Sequence, residues 1–173
     1  LIRSFGLQAV SGAAQPCLGD VTTAAFVVPA KGQLATVTVA NSAIYQVGDR
    51  IILGAGQVGP NILKVVKIPA GGVTLLCESE GDAALKAWVS GTILALSIAC
   101  FRIGFRTPGN AGLVWLGTDS SVTNAGAGTA FEALGNADRY DYVFHNGQNP
   151  LNTAEIWMAG TPPDTVLVSA HIN

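Results

Sequence analysis

The chain has 173 residues, enough for one large or two small domains, with nine basic and eleven acidic side chains and a net charge of −2. Apolar residues make up 49% and charged residues only 12%, about half the usual share of charge. The charges are scattered singly, which excludes a basic patch for phosphates, a polybasic membrane anchor and an acidic tail, so neither nucleic acid nor membrane is an expected partner.

Residues Leu1 to about Ala24 are rich in Ser, Gly, Ala, Gln and Pro without clear alternation, and read as an irregular arm. From there on, glycine or proline breaks the chain every eight to twelve residues, with short runs of Val, Ile, Leu and Thr between them. That rhythm predicts an all-β fold. A small β-barrel-like unit is expected over residues 25–98, with strands Leu34–Ala40, Arg50–Leu53, Ile62–Ile68, Val73–Cys77 and Thr92–Leu96. A β-sandwich or jelly-roll-like unit is expected over residues 99–173, with strands Cys100–Arg106, Leu113–Leu116, Arg139–His145, Glu155–Met158 and Thr165–His171. Glu80 to Ala87 is the one helical turn or two, and Asp119 to Gly128 reads as a polar loop.

Low charge on such a chain predicts a surface covered by other subunits, since apolar area removed from water is worth roughly 25 cal/mol per Å². An unusually apolar monomer is the alternative. The stretch Val89 to Phe105 is too short for a membrane helix and is interrupted by Ser90, Gly91, Thr92, Ser97, Arg102 and Gly104. No secretory signal is visible. Cys17, Cys77 and Cys100 form no CxxC or Cys/His metal pattern; Cys77 and Cys100 sit in apolar runs and read as buried free thiols, and an odd count argues against a disulfide framework and suits a reducing cytoplasm.

Gly54-Ala55-Gly56-Gln57-Val58-Gly59 matches GxGxxG, follows the apolar run Ile51–Leu53, and precedes Glu78 by 24 residues counted from Gly54. A dinucleotide site also needs a helix opening at the third glycine. Pro60 suits a first helical turn. Yet Pro69 ends the segment after eight residues that include the β-branched Ile62, Val65, Val66 and Ile68. A glycine-rich turn between antiparallel strands is the preferred reading.

His145 or His171 with Asp141 or Asp164 and a serine would make a nucleophilic triad, but there is no GxSxG elbow. Strand-borne imidazoles are the simpler reading. Glu78, Glu80 and Asp82, and separately Asp138 and Asp141, are candidate carboxylate pairs for glycoside cleavage, and the first group for calcium. Both read more simply as solvated loops. Trp88, Trp115 and Trp157 would form a sugar platform if exposed, and core or interface anchors if buried.

Two stretches resemble virion proteins of tailed bacteriophages. The first is Ala25–Val37, Val47–Gly48–Asp49–Arg50–Ile51–Ile52, Gly54–Ala55–Gly56, Val65–Val66–Lys67–Ile68 and Val73–Thr74–Leu75, similar to a small β module of fibre and particle-surface proteins. In that module the glycine string is a hairpin turn. The second is Val114 to Thr123, Ala154 to Gly160 and Asp164–Thr165–Val166–Leu167–Val168, similar to the C-terminal β-sandwich of minor structural and head-decoration proteins. Ala14–Gln15–Pro16–Cys17–Leu18–Gly19 resembles the arm of capsid-decorating proteins.

The resemblance implies a symmetric oligomer, with a trimer favoured, on a capsid or tail surface, with no catalytic, cofactor or metal residues to carry over. The expected function is therefore a non-enzymatic cement or decoration protein, assembled in the host cytoplasm and bound to the major capsid protein or other virion proteins. Truncating the arm near Ala24 should then abolish particle binding and leave the β units folded. The alternative is a tail-fibre or spike module that binds a receptor or glycan through Trp88 or Trp115.

Overall fold

The computed structural model describes residues 1–55, 61–81, 86–143 and 151–172. In chain order the strands are β1 (Ile2–Ala9), β2 (Gln15–Pro16), β3 (Gly19–Val21), β4 (Phe26–Val28), β5 (Leu34–Thr38), β6 (Arg50–Leu53), β7 (Asn61–Lys67), β8 (Thr74–Ser79) and β9 (Lys86–Trp88). They continue as β10 (Ile93–Ser97), β11 (Ala99–Cys100), β12 (Arg102–Arg106), β13 (Val114–Gly117), β14 (Ala130–Leu134), β15 (Arg139–Val143), β16 (Leu151–Asn152), β17 (Trp157–Gly160) and β18 (Thr165–His171). Two 3₁₀ turns are the only helical elements among the described residues, so the protein is all-β.

The chain forms two compact units. One is Gly19–Ser97. The other joins Leu1–Leu18 to Ile98–Asn173, so both chain ends build the same unit. This replaces the expected arm over residues 1–24: β1 is an eight-residue strand paired antiparallel with β18, the last strand. Period-2 alternation fails to reveal it because Phe5 and Gly6 oppose a single position, leaving Phe5 and Gln8 both buried three residues apart. Gly6 takes φ +71°, and the Gln8 side-chain amide donates to the Phe5 carbonyl at 2.8 Å across the bulge.

The unit containing both ends has two four-stranded antiparallel sheets, ordered β1-β18-β12-β15 and β14-β13-β17-β2. The N-terminal segment supplies an edge strand to each. Along β18 the odd positions face out while Val166, Val168 and Ala170 are fully buried, as alternation requires. Ile103, Phe105, Val114, Leu116 and Met158 add to this core. Phe131 on β14 meets Tyr142 on β15 at 5.2 Å between ring centroids, joining the two sheets at one edge. The single strand expected over Cys100–Arg106 breaks at Phe101, where β11 pairs with β16 and β12 with β15 and β18.

The Gly19–Ser97 unit is a six-stranded antiparallel sheet, β3-β10-β6-β7-β8-β5, beside the small β4-β9 ribbon. Its edges β3 and β5 touch at one bridge, Thr22↔Val39, but the sheet does not close into the expected barrel. With three residues, β3 is too short to extend a ladder along β5. The contact is tied by the backbone bonds from the Thr23 amide to the Thr38 carbonyl at 2.9 Å and from the Ala40 amide to the Val21 carbonyl at 3.1 Å, and by Asp20, whose carboxylate accepts from the Asn41 amide at 3.0 Å. Leu53, Leu63, Val65, Leu75 and Leu94 fill the core. Lys86 and Ala87, expected to end a helical turn, lie in β9, and residues 82–85 are outside the described residues.

Candidate functional site

The glycine string begins where β6 ends. Gly54 has φ +74°, and a Cβ there would run into the Trp88 ring. Gly56 and Gly59 lie outside the described residues. Asn61 starts β7, an antiparallel neighbour of β6, where a dinucleotide site would need a helix and a parallel crossover. The motif is thus a connection between antiparallel strands, with its first glycine seating an indole.

Glu78 and Glu80 line an open hollow of about 610 Å³ with Lys31, Gly32, Arg50, Ile62 and Ser79. Glu80 is bound to Arg50, with Nε to Oε2 at 2.7 Å. Glu78 stands opposite Lys64 in the β7–β8 register. Opposite charges therefore interleave across this sheet face, the arrangement of a solvated surface. Asp82 lies outside the described residues, and no metal-binding cluster occurs among the described ones.

The fold brings three of the triad candidates together. His171, Ser169 and Asp141 line a hollow of about 220 Å³ on the outer face of the sheet β1-β18-β12-β15, with Gly104, Phe105, Arg106, Arg139 and Leu167. The register explains the convergence: Gly104 lies between Ser169 on β18 and Asp141 on β15. Lacking a side chain, it leaves the floor open, and a Cβ there would sit 2.7 Å from Ser169 Oγ.

The partners are not those of a triad. Asp141 pairs with Arg102, and with Arg139 Nε at 3.7 Å. His171 packs edge-on against Phe101 at 5.8 Å. Ser169 Oγ donates weakly to the Gly104 carbonyl at 3.5 Å. Asp164 is 6% exposed and accepts from the backbone amides of Ala111 and Gly112, each at 2.9 Å, so it works as a loop staple. His145 lies outside the described residues. Asp138 accepts from the Gly135 amide at 2.6 Å and closes a turn.

Among the tryptophans, Trp88 and Trp157 are each 5% exposed, and Trp115 is half-buried with its ring over Gly126. The loop from Asp119 to Gly128 is firmly tied: Asp119 accepts from the Ser121 amide at 2.7 Å and from the Thr129 hydroxyl at 3.1 Å. Hydrogen bonds from Ser121 hold its carboxyl below the usual carboxylate range. Burial has the reverse effect on Asp20, raising its carboxyl despite the amides it accepts from. All three cysteines are buried free thiols whose ionisation burial opposes.

What sequence reasoning missed on this face is the arginine set. Arg102, Arg106 and Arg139 are spread over 38 positions of sequence, and only strand pairing gathers them. No protein-family model, characterised protein or solved structure matches this chain.

Proposed function

We infer that the protein is a non-enzymatic assembly subunit, specifically a cement or decoration protein on the surface of a tailed-phage particle. One observation carries the reading. The edge strand β1 has no second neighbour among the described residues, and Leu1, Ile2 and Leu7 along it are 86%, 64% and 58% exposed. A free edge of this kind pairs with a strand of another chain, and exposed apolar side chains beside it favour that pairing. Val89 and Val27 add exposed apolar surface in the other unit, at 70% and 56%. The low overall charge fits surfaces covered in an assembly.

The commitments of Asp141, Asp164, Glu80 and His171 to structural partners favour a binding role over catalysis. Of the two residues in the glycan-binding alternative, Trp88 is buried and Trp115 is half-buried with its ring over Gly126, which favours the assembly reading over it. Phage particle identity rests on the sequence resemblance, and the favoured oligomer is a trimer.

Light scattering on the purified chain should give an oligomer mass, and Ile2→Lys with Leu7→Lys should return it to a monomer of unchanged fold. Quantitative mass spectrometry of purified particles should find hundreds of copies on a capsid. A handful would place the protein on a tail. A monomer absent from particles would sink the reading.

A further inference from the structure

Arg106 on β12 stands directly opposite Arg139 on β15 in the antiparallel register. Like charges so placed repel, and a sheet normally avoids the pairing. The one carboxylate beside them, Asp141, is shared with Arg102, and its contact to Arg139 is long at 3.7 Å. Arg106 has no ion pair among the described residues, so three guanidiniums face a single carboxylate. Two of them, Arg106 and Arg139, line the hollow over Gly104 together with Phe105, Asp141, Leu167, Ser169 and His171.

We propose that this hollow receives a carboxylate side chain from an apolar segment of a partner protein, gripped between Arg106 and Arg139. The guanidinium fork matches a carboxylate through two parallel N–H···O bonds, and the uncancelled positive charge attracts it. A singly charged group suits the site better than a phosphate dianion, because Asp141 is itself a wall of the hollow. At about 220 Å³ the space suits one side-chain head and falls below the ~300–1,000 Å³ of small-molecule sites. The surroundings point to protein as the carrier. Ile2 and Leu7 flank the same sheet face on β1, and Val143, 43% exposed, flanks it on β15. Ser169 can donate to the second carboxylate oxygen, since its present bond to the Gly104 carbonyl is weak.

The source of the carboxylate rests on the assembly reading; the anion site itself does not. The test uses the full chain with arginine side-chain Nε–Hε resonances followed at low salt. The probes are acetyl-Leu-Glu-Leu-amide, its Leu-Gln-Leu twin, inorganic phosphate and oligothymidylate. The Glu peptide should shift Arg106 and Arg139 saturably, and the Gln twin should not. Arg106→Gln and Arg139→Gln should each weaken binding at least about ten-fold, and Arg106→Lys should restore only part of it, since lysine keeps the charge without the fork. Both side chains lie on the surface, so an unchanged amide spectrum will show that the variants fold.

No saturable shift, or equal affinity in the Gln variants, would overturn the proposal. A stronger response to phosphate or oligothymidylate would also overturn it and make this a phosphate-reading face. A chain that binds the Glu peptide as expected yet is monomeric and absent from particles would sink the assembly reading alone.

Discussion

The Trp88 indole nitrogen donates to the Asn61 side-chain oxygen at 2.9 Å, with both residues buried. The bond fixes the ring over Gly54, and Lys86 Nζ lies 3.9 Å from the ring centroid. A glycine that looks like part of a cofactor loop is thus held by packing. Gly54→Ala places a Cβ both at positive φ and against the indole. It should destabilise the Gly19–Ser97 unit by more than about 2 kcal/mol in urea unfolding followed by circular dichroism. NAD and ATP should leave the melting temperature of the parent protein unchanged. A ligand-induced rise that disappears in Gly54→Ala would revive the nucleotide reading.

The Asp164 carboxylate accepts from two backbone amides, one at each oxygen: Ala111 at Oδ1 and Gly112 at Oδ2. Asp164→Ala should cost about 2–4 kcal/mol, and Asp164→Asn, which keeps one acceptor oxygen, about half of that. Thermal unfolding of the two variants measures both. Equal stability of parent and Asp164→Ala would free this residue for some other role.

Burial raises the Cys77 thiol to about 12 and the Cys100 thiol to about 11, both above the ordinary 9.0. The unfolded chain therefore releases these protons first. Stability should be intact below pH 9 and fall as pH rises from there towards pH 11 and 12. Chemical denaturation across pH 8 to 11 reads the slope, and Cys77→Ala should make it shallower. At pH 8 a disulfide exchange reagent should label the thiols only after unfolding.

Deleting residues 1–9 removes β1, and with it the buried Phe5 and the whole partner edge of β18. The unit formed by both chain ends should lose more than about 3 kcal/mol, since one large aromatic alone accounts for that much. Limited proteolysis should then cut within Ile98–Asn173 while Gly19–Ser97 resists. An N-terminal arm would predict the reverse, with both units unaffected by the deletion.

Alternation made β6 and β18 legible at their observed limits, Arg50–Leu53 and Thr165–His171, because one face of each is buried along its length. It failed for β1, where the bulge at Phe5 and Gly6 resets the period, and for β2, β3 and β16, which are too short to have one. It also failed for β14: Ala130–Leu134 (AFEAL) consists mostly of helix formers and takes strand form through pairing with β13. For the candidate site, the sequence named His171 and Asp141 and preferred strand-borne imidazoles to a triad, but their partners Phe101, Arg102 and Arg139 are set by contacts it does not show.

The sequence by itself determined the all-β class, the scarcity of charge and many of the turns, since hydrophobic period and glycine placement act over a few neighbouring residues. Only the tertiary structure decided that Leu1–Leu18 joins Ile98–Asn173, and that Arg106 faces Arg139 across two strands 33 positions apart. Strand pairing is a long-range choice among edges that look alike locally. The charge crowding on the outer sheet face is a product of that choice.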